Sequence, residues 1–515
     1  MKTVQRAAHT AEMKNGNAAK AEMAQEGKTL VRHSMVYGLG IILNRLIGFI
    51  MIPIYTRLLT PADYGTLELL GLSTDIIGMV ISVGIANAMY RFYFEFEDER
   101  ERNAVISTAF ATFGGIGLLC LGLLSLATGF LSRVILDAEQ YASYFLVALT
   151  SIWFLTVVQM GFDYLRMRQK SVLFLIVSTL KLLLALGLNI YLVVYLRMGV
   201  MGILLSTLIS SVVMTIVFVV PILVQTGPHI SPSIAAKLIR FGAPLIPANL
   251  GSLIVHASDR YFLKYFGDLH QTGIYSLGYK FGNLPNTFVT SPFMQIWTAR
   301  RFEVYKKPYA EEMFGAIFTY FCLLITFVGL GISMISREAL EIIANPSFWD
   351  AHQVIPIIIF AYIVFSLHNH FNMGILIEKK THYLAYINGS NGIVNLVLNW
   401  FFIQRWGMYG AAYATLLSFF YKVIVTYAVS SRIYPVHFEA GKVLKIFLTA
   451  GLLYAASQWI PAGPIYVRLG IKGLLLLAYP VLLWFLGVPG PEDRGQILSF
   501  ARSKLPMWTG LGVRT

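Results

Sequence analysis

Long apolar runs separated by short polar connections dominate the chain. A helix that crosses the ~30 Å hydrocarbon core of a bilayer needs ~20 residues, and fourteen runs reach about that length. We place the helices at 34–57, 66–90, 104–129, 141–162, 171–195, 199–224, 242–263, 274–299, 313–336, 351–376, 382–403, 408–431, 443–460 and 470–488. Barrel strands would instead show short segments of alternating polarity. The pattern predicts an all-α, polytopic membrane protein with about 14 transmembrane helices.

The polar termini and connections predict how the chain crosses the membrane. Residues 1–33 have mixed charge and contain no apolar stretch typical of a cleavable signal peptide. Most of the 40 Lys and Arg residues fall in the terminal segments and in the connections predicted to lie on the same side of the membrane as the N-terminus. Because basic connections favour the cytoplasm, we expect a multi-pass protein with cytoplasmic tails at 1–33 and 491–515.

Composition agrees with this assignment. The chain is 57% hydrophobic and only 13% charged, which leaves too little charge for a water-exposed surface. The net charge of +14 mostly reflects the basic cytoplasmic connections, so we expect no nucleic-acid partner.

A repeated segment predicts internal duplication. The stretch "GVMGILLSTLIS" at 199–210 is echoed by "GMYGAAYATLLS" at 407–418, and Asn189 and Asn399 are 210 residues apart. Further upstream, Gly65 in the first copy corresponds to Gly273 in the second. We predict an N-lobe at 34–225 with helices 1–6, a C-lobe at 226–433 with a cytoplasmic linker at 226–241 and helices 7–12, and helices 13–14 at 434–490.

The number of helices in each copy indicates transport. Because each predicted copy crosses the membrane an even number of times, both enter from the same side, and parallel repeats of this kind suit alternating access around a central cleft. A two-lobed membrane scaffold without transport is the alternative.

Two further segments carry a family resemblance. The stretches "NRLIGFIMIPIYTRLLTPADYG" at 44–65 and "GIYSLGYKFGNL" at 273–284, with the helix plan, resemble the polysaccharide-transport flippases of the multidrug/oligosaccharidyl-lipid/polysaccharide exporter superfamily. The resemblance implies that a polyprenyl-pyrophosphate-linked oligosaccharide moves from the inner to the outer leaflet of a bacterial plasma (inner) membrane. An O-antigen, exopolysaccharide or capsule repeat unit is the expected cargo. Membrane lipids, a polysaccharide polymerase and the export machinery are the other expected partners.

Charges inside the predicted helices are the first site candidates. A charge at mid-bilayer costs ~2.5 to 3.5 kcal/mol, so such residues normally face protein or water. Arg45 and Asp75 lie ~18 Å and ~14 Å from the outer ends of helices 1 and 2. We expect Arg45 to bind phosphate through its planar donors, and Asp75 to orient it or to bind a coupling proton or sodium ion. A structural ion pair is the alternative.

Further candidates lie in the C-lobe and beside Arg45. We expect Lys280 to be a second contact for an anionic head. Asp259 and Arg260 are adjacent on one helix, where neighbouring side chains diverge by about a hundred degrees. Arg260 is therefore a substrate-binding candidate and Asp259 an ion-coupling or charge-pair candidate, with a pair at the membrane boundary as the alternative. Asn44 is expected to hydrogen-bond a sugar hydroxyl.

The resemblance adds expectations for the first two helices. Arg45 in "NRLIGF" matches the arginine that precursor flippases direct toward their cavity. Arg91, after "IANAMY", lies where those proteins often carry another cation. Met51 departs from the pattern, because a second first-helix arginine would be expected there, and this counts against a peptidoglycan precursor as cargo.

Two other functions compete with a flippase. A membrane glycosyltransferase or polymerase handles the same lipids, but the longest connection has under about twenty residues and no Gly-Lys phosphate motif appears. A cation-coupled multidrug exporter of the same superfamily would favour carboxylates, whereas basic residues outnumber acidic ones inside the predicted helices. His368 and His370 do not share a helical face, which argues against a metal site. We expect no enzymatic activity and no cofactor apart from H+ or Na+ coupling.

Overall fold

The computed structural model describes residues 50–82, 84–490 and 494–495. These residues form α-helices joined by 3-10 turns, π-helical turns and loops, and none of them lies in a strand. Ten of the described helices are long and apolar enough to cross a membrane. The predicted all-α polytopic membrane fold is confirmed, whereas the number of fourteen helices stays a prediction.

The described residues divide into two compact units. Unit 1 comprises residues 50–59 and Thr66–Leu250, and unit 2 comprises Thr60–Gly65 and the residues from Gly251 onward. The predicted domain limits, at 34–225, 226–433 and 434–490, stay predictions.

The helices of unit 1 follow one another with few long connections. They are α1 (50–58), α2 (Pro61–Ser82), whose first five residues belong to unit 2, α3 (Ile85–Tyr93), α4 (Glu99–Leu126), α5 (Thr128–Leu136), α6 (Ala142–Met167), α7 (Ser171–Asn189), α8 (Gly199–Met214), α9 (Val220–Thr226) and α10 (Pro232–Gly242). π-Helical turns at Ile190–Tyr195 and Thr215–Val219 follow α7 and join α8 to α9. The core of the unit packs around Met89, Phe113 and Val158.

The helices of unit 2 include the longest of the chain. They are α11 (Leu245–Phe266), which begins in unit 1, α12 (Leu269–Gly282), α13 (Ser291–Val304), α14 (Ala310–Ile343), α15 (Ile355–Phe371), α16 (Met373–Ile377), α17 (His382–Ile433), α18 (Ala440–Gln458) and α19 (Ile465–Phe485). Small residues allow close helix packing, as expected where lipid replaces water. A Cβ atom at Gly282 would overlap the side chain of Ile358 on α15.

The 52-residue helix α17 contains a sharp change of direction. Gly407 has φ 52° and ψ −127°, a conformation outside the helical range that glycine adopts readily because it lacks a Cβ atom. The predicted helices at 382–403 and 408–431 correspond to the two parts of α17 on either side of this residue.

A reciprocal contact joins the first turns of α2 and α12 within unit 2. Thr60 caps α2 through a mutual pair of hydrogen bonds with Asp63, and Asp268 caps α12 by accepting a hydrogen bond from the amide of Gln271. A Cβ atom at Gly65 would overlap the carbonyl oxygen of Leu269. We call this contact, together with its counterpart at Gly273 and the carbonyl of Pro61, the glycine crossing.

Candidate functional site

The two candidates of the first predicted helix, Asn44 and Arg45, lie outside the described residues. Their predicted roles, and the expected pairing of Arg45 with Asp75, remain predictions.

Carboxylates recur along one face of α2. Asp75 is exposed on this helix, and Glu68 precedes it by seven residues, or about two helical turns. Glu68 therefore lies on the same face, and the seven-residue spacing is visible in the sequence. The arrangement provides two acidic groups on one side of a helix that carries no basic residue.

Lys280 extends from the last turn of α12 as an exposed side chain. Its ammonium donates a hydrogen bond to the hydroxyl of Tyr64 at 3.1 Å and lies 4.7 Å from the centre of the same ring. Tyr64 is itself buried and packs edge-to-face against Phe348, with ring centroids 5.7 Å apart. A fixed tyrosine thus positions an exposed cation through a hydrogen bond and a cation–π contact. Sequence spacing gave no signal for this partner, which is 216 residues away.

Asp259 and Arg260 form a buried ion pair on α11. Nη1 of Arg260 lies 2.7 Å from Oδ1 of Asp259, and both side chains are at most 4% exposed. The expectation that the two side chains diverge is therefore wrong, because the long arginine side chain folds back onto its neighbour. The same burial is inconsistent with side chains that extend into water, whereas the location of the pair at the membrane boundary stays a prediction.

Aromatic hydroxyls complete the surroundings of the pair. Tyr275 donates a hydrogen bond to Oδ2 of Asp259 at 2.7 Å. The guanidinium of Arg260 lies 3.6 Å from the ring centre of Tyr279, whose hydroxyl accepts a hydrogen bond from Tyr362 at 2.7 Å. Burial of a charge is tolerated when pairing and hydrogen bonds compensate it. Asp259 and Arg260 therefore interact with each other and with tyrosines of unit 2.

A second polar network lies among α11 and the two parts of α17. The hydroxyl of Ser258 donates to Oδ1 of Asn395 at 3.0 Å, and Nδ2 of Asn395 donates to Ser418 at 3.1 Å. Nδ2 of Asn399 donates to both Oδ1 of Asn395 and Oγ of Ser258. Oδ1 of Asn399 and Oγ1 of Thr415 are buried and have no hydrogen-bond partner in the described part of the chain. The spacing of the two asparagines, four residues apart, was a visible signal of a shared face.

Arg91 lies at the end of α3 in unit 1 and is exposed. Its guanidinium lies 5.1 Å from the ring centre of Phe241 at the end of α10. Gly84, with φ 62°, separates α3 from α2 and allows close approach to Gly242, because a Cβ atom would lie 2.7 Å from its carbonyl oxygen. The interruption at Gly84 and its close approach to Gly242 hold α3 against α10. This packing places the guanidinium of Arg91 over the ring of Phe241.

A buried ion network that the sequence analysis missed joins α14 to α19. The ammonium of Lys472 donates to both carboxylate oxygens of Glu338 at 2.7 Å and to the carbonyl of Met334 at 2.7 Å. Arg468 contacts Glu338 at 3.1 Å and also pairs with Glu341. Glu338 is 1% exposed. Because every charge in this network has an opposite partner, its arrangement is that of a structural connection between two helices.

No metal site is evident in the part of the chain that the structure describes. Groups of three or more His, Cys, Asp or Glu side chains able to hold a metal ion do not occur among these residues. Nδ1 of His368 lies 2.8 Å from the hydroxyl of Thr426, whereas His370 is surrounded by aromatic rings, of which Phe321 is 4.6 Å away. The two histidines therefore have separate surroundings.

Comparison with a protein-family model gives a match over more than half of the chain. The family is described as polysaccharide biosynthesis protein, and its model matches residues 30–297. At the level of whole sequences, no curated protein is similar enough to count as a match.

Solved structures similar to this chain are membrane transporters. The lipid II flippase MurJ in an inward closed conformation has a TM-score of 0.69 at 12% identity, covering 88% of this chain and 99% of its own. A multidrug resistance MATE family transporter of the MOP superfamily in an inward-facing conformation has a TM-score of 0.59 at 14% identity, covering 79% and 96%. A MATE structure in the bent conformation has a TM-score of 0.52 at 14% identity, covering 82% and 97%. These likenesses show that the chain has a transporter fold.

Proposed function

Because the chain belongs to the family of polysaccharide biosynthesis proteins, we propose that it is a flippase for a lipid-linked saccharide. The cargo is a polyprenyl-pyrophosphate-linked oligosaccharide, such as an O-antigen, exopolysaccharide or capsule repeat unit. It moves by alternating access from the inner to the outer leaflet of a bacterial inner membrane, with both protein termini in the cytoplasm. A polysaccharide polymerase and the export machinery receive the product.

The position of Lys280 is the observation that carries this proposal. Of the two basic candidates in unit 2, Arg260 is neutralised by the buried Asp259, whereas the ammonium of Lys280 is exposed and held by Tyr64. A lysine binds phosphate as a compact positive charge. The buried tyrosine restricts the lysine side chain before cargo arrives, which lowers the entropy lost on binding.

The remaining candidates have more limited roles in this proposal. Arg91, supported by Phe241, supplies a second cation in unit 1. Arg45 contacts the phosphate as the family resemblance implies, and Asn44 hydrogen-bonds a sugar hydroxyl of the head. Asp75 is the proposed site of proton or sodium coupling.

A reconstitution experiment tests the function and the role of Lys280 together. The purified full chain is placed in vesicles with a fluorescent polyprenyl-pyrophosphate oligosaccharide, and arrival of the head in the opposite leaflet is measured by its accessibility to a membrane-impermeant lectin. We expect transfer above the protein-free rate. Lys280→Ala should reduce the initial rate about tenfold or more, because a hydrogen bond to a charged group contributes ~1.5–3 kcal/mol.

A second lysine provides the matched control. Lys307 is exposed and its ammonium lies 5.9 Å from the ring centre of Tyr309, but it is in the connection before α14. Lys307→Ala should leave the rate within about twofold of the unmodified protein. Equal loss in the two variants would reject the assignment of Lys280, and absence of transfer by the unmodified protein would reject the flippase.

A multidrug exporter is the second candidate function. It is favoured by the two carboxylates on one face of α2, Glu68 and Asp75, because acidic side chains suit cationic drugs. Efflux of a cationic dye without transfer of the lipid-linked saccharide, and its loss in Asp75→Asn, would establish the exporter in place of the flippase.

A further inference from the structure

An apolar groove opens on unit 1 between α7 and the segment that joins α8 to α9. Its volume is about 470 Å³. The residues that line it are Tyr164, Leu165, Lys170, Leu173, Val177, Leu180, Leu184, Val213, Met214, Val217, Phe218, Pro221, Ile222 and Gln225. All except those at one end are apolar, so the groove suits a hydrocarbon chain.

The backbone of one wall explains why the groove exists. Thr215–Val219 forms a π-helical turn, and Pro221 follows at the start of α9. A π-helical turn inserts an extra residue, and proline removes a backbone donor, so both interrupt regular helix packing. Val217, within the turn, is 67% exposed, and Leu180 on the facing helix is 56% exposed. The two walls therefore present apolar side chains that no other part of the described chain covers.

The length of the groove corresponds to one leaflet. Leu173 and Leu184 mark its extent along α7, and eleven residues of helix span ~16 Å. Half of the ~30 Å hydrocarbon core is ~15 Å. A single acyl chain that enters from one membrane surface would thus lie along the groove.

The polar end carries one available cation. Lys170 is exposed, and among the described residues it has only backbone hydrogen bonds, with no partner for its ammonium. The neighbouring basic residues are already paired, Arg166 with Asp163 and Arg168 with Glu99. Lys170 lies in a connection that the distribution of basic residues predicts to be cytoplasmic, where the leaflet contains anionic lipids.

We propose that this groove binds an anionic glycerophospholipid of the cytoplasmic leaflet. The headgroup phosphate contacts Lys170, with Gln225 beside it, and one acyl chain lies against Leu173, Leu180 and Val217. The positive charge at the end of an apolar channel of one-leaflet length selects this class of lipid over a zwitterionic one. This site is in unit 1 and does not depend on the cargo of the transporter.

Lipid retention by the purified full chain tests the proposal. The detergent-solubilised protein is equilibrated with equimolar phosphatidylglycerol and phosphatidylcholine of identical acyl chains, and the retained lipids are counted by native mass spectrometry. We expect phosphatidylglycerol to be favoured. Lys170→Glu should lower the ratio of the two retained lipids at least about fivefold, the factor that corresponds to ~1 kcal/mol for a basic residue near the membrane surface.

Two further variants distinguish this site from general charge attraction. Lys380 is the exposed counterpart of Lys170, 210 residues later in the repeat, and Lys380→Glu should leave the lipid ratio within about twofold. Val217→Trp fills the groove at an exposed position and should reduce retained phosphatidylglycerol while the elution profile of the protein is unchanged. Equal retention of both lipids by the unmodified protein, equal loss in the two Glu variants, or full retention by Val217→Trp would each overturn the proposal.

Discussion

Replacement of Glu338 by leucine is expected to destabilise the contact between α14 and α19 strongly. The substitution removes the carboxylate that accepts two hydrogen bonds from Lys472. The ammonium of Lys472, which is 7% exposed as a residue, would keep only the carbonyl of Met334 as a described partner. Arg468 would still pair with Glu341. The cost therefore arises from one buried and uncompensated lysine.

The expected magnitude follows from the burial of both partners. Loss of one member of a buried ion pair typically costs ~3–5 kcal/mol, because the remaining charge stays desolvated. Lys472→Met should cost less, because Arg468 remains 3.1 Å from Glu338 and continues to neutralise it. The double variant Glu338→Leu/Lys472→Met should return to within ~1 kcal/mol of the unmodified protein, because apolar replacement of a whole buried pair is often neutral.

Denaturant titration of the detergent-solubilised chain, followed by tryptophan fluorescence, measures these differences in the free energy of unfolding. The exposed pair Arg300–Glu303 is the matched control, because it has the same 2.7 Å separation but side chains that are 62% and 63% exposed. Glu303→Ala should change stability by less than ~1 kcal/mol. A cost for Glu338→Leu as small as this, or a double variant as unstable as the sum of the two single ones, would refute the reasoning.

Two glycine substitutions give further predictions. Gly65→Ala should destabilise the protein and lower its thermal melting temperature in detergent, because the new methyl group overlaps the carbonyl of Leu269. Gly71→Ala, on the same helix, meets open space and should be neutral or stabilising by up to ~1 kcal/mol. Equal melting temperatures of the two variants would contradict the geometry. Gly407→Ala should lower the free energy of unfolding by ~1–3 kcal/mol in denaturant titration, because Gly407 has a positive φ. Gly389→Ala, whose new methyl group would have no neighbour within 4 Å, should not lower it. Similar losses in the two variants would show that the direction change in α17 does not require glycine.

Hydropathy predicted the fold class because the requirement for continuous apolar helices is strong in a membrane. It was less accurate where helices are interrupted or carry charge. The predicted helix at 274–299 is divided into α12, the π-helical turn Asn286–Thr290 and α13, with Pro285 and Pro292 at the interruptions. The predicted helix at 313–336 ends just before Arg337 and Glu338, whereas α14 continues to Ile343. The hydropathy pattern therefore leaves Glu338 outside the predicted helix, although the structure buries it.

The sequence predicted a candidate site residue only where the type of the residue alone marked it, as a charge within an apolar run does. The basic candidates Lys280 and Arg260 were identified from charge within apolar runs, but charge alone did not distinguish the exposed lysine from the buried, paired arginine. That difference depends on Asp259 and Tyr64, and the tyrosine lies in a distant segment. The network around Asn395 likewise uses serines, which are too common in membrane helices to indicate a shared position.

The glycine crossing has a consequence for the history of the chain. Gly65 and Gly273 occupy equivalent positions in the predicted repeat, and each faces the backbone four residues before the other. In an ancestor assembled from two identical half-length chains, a single codon would have supplied both glycines at once. In the present chain the same contact depends on two independent codons, so a mutation at one of them is not mirrored at the other and half of the contact alone can be lost.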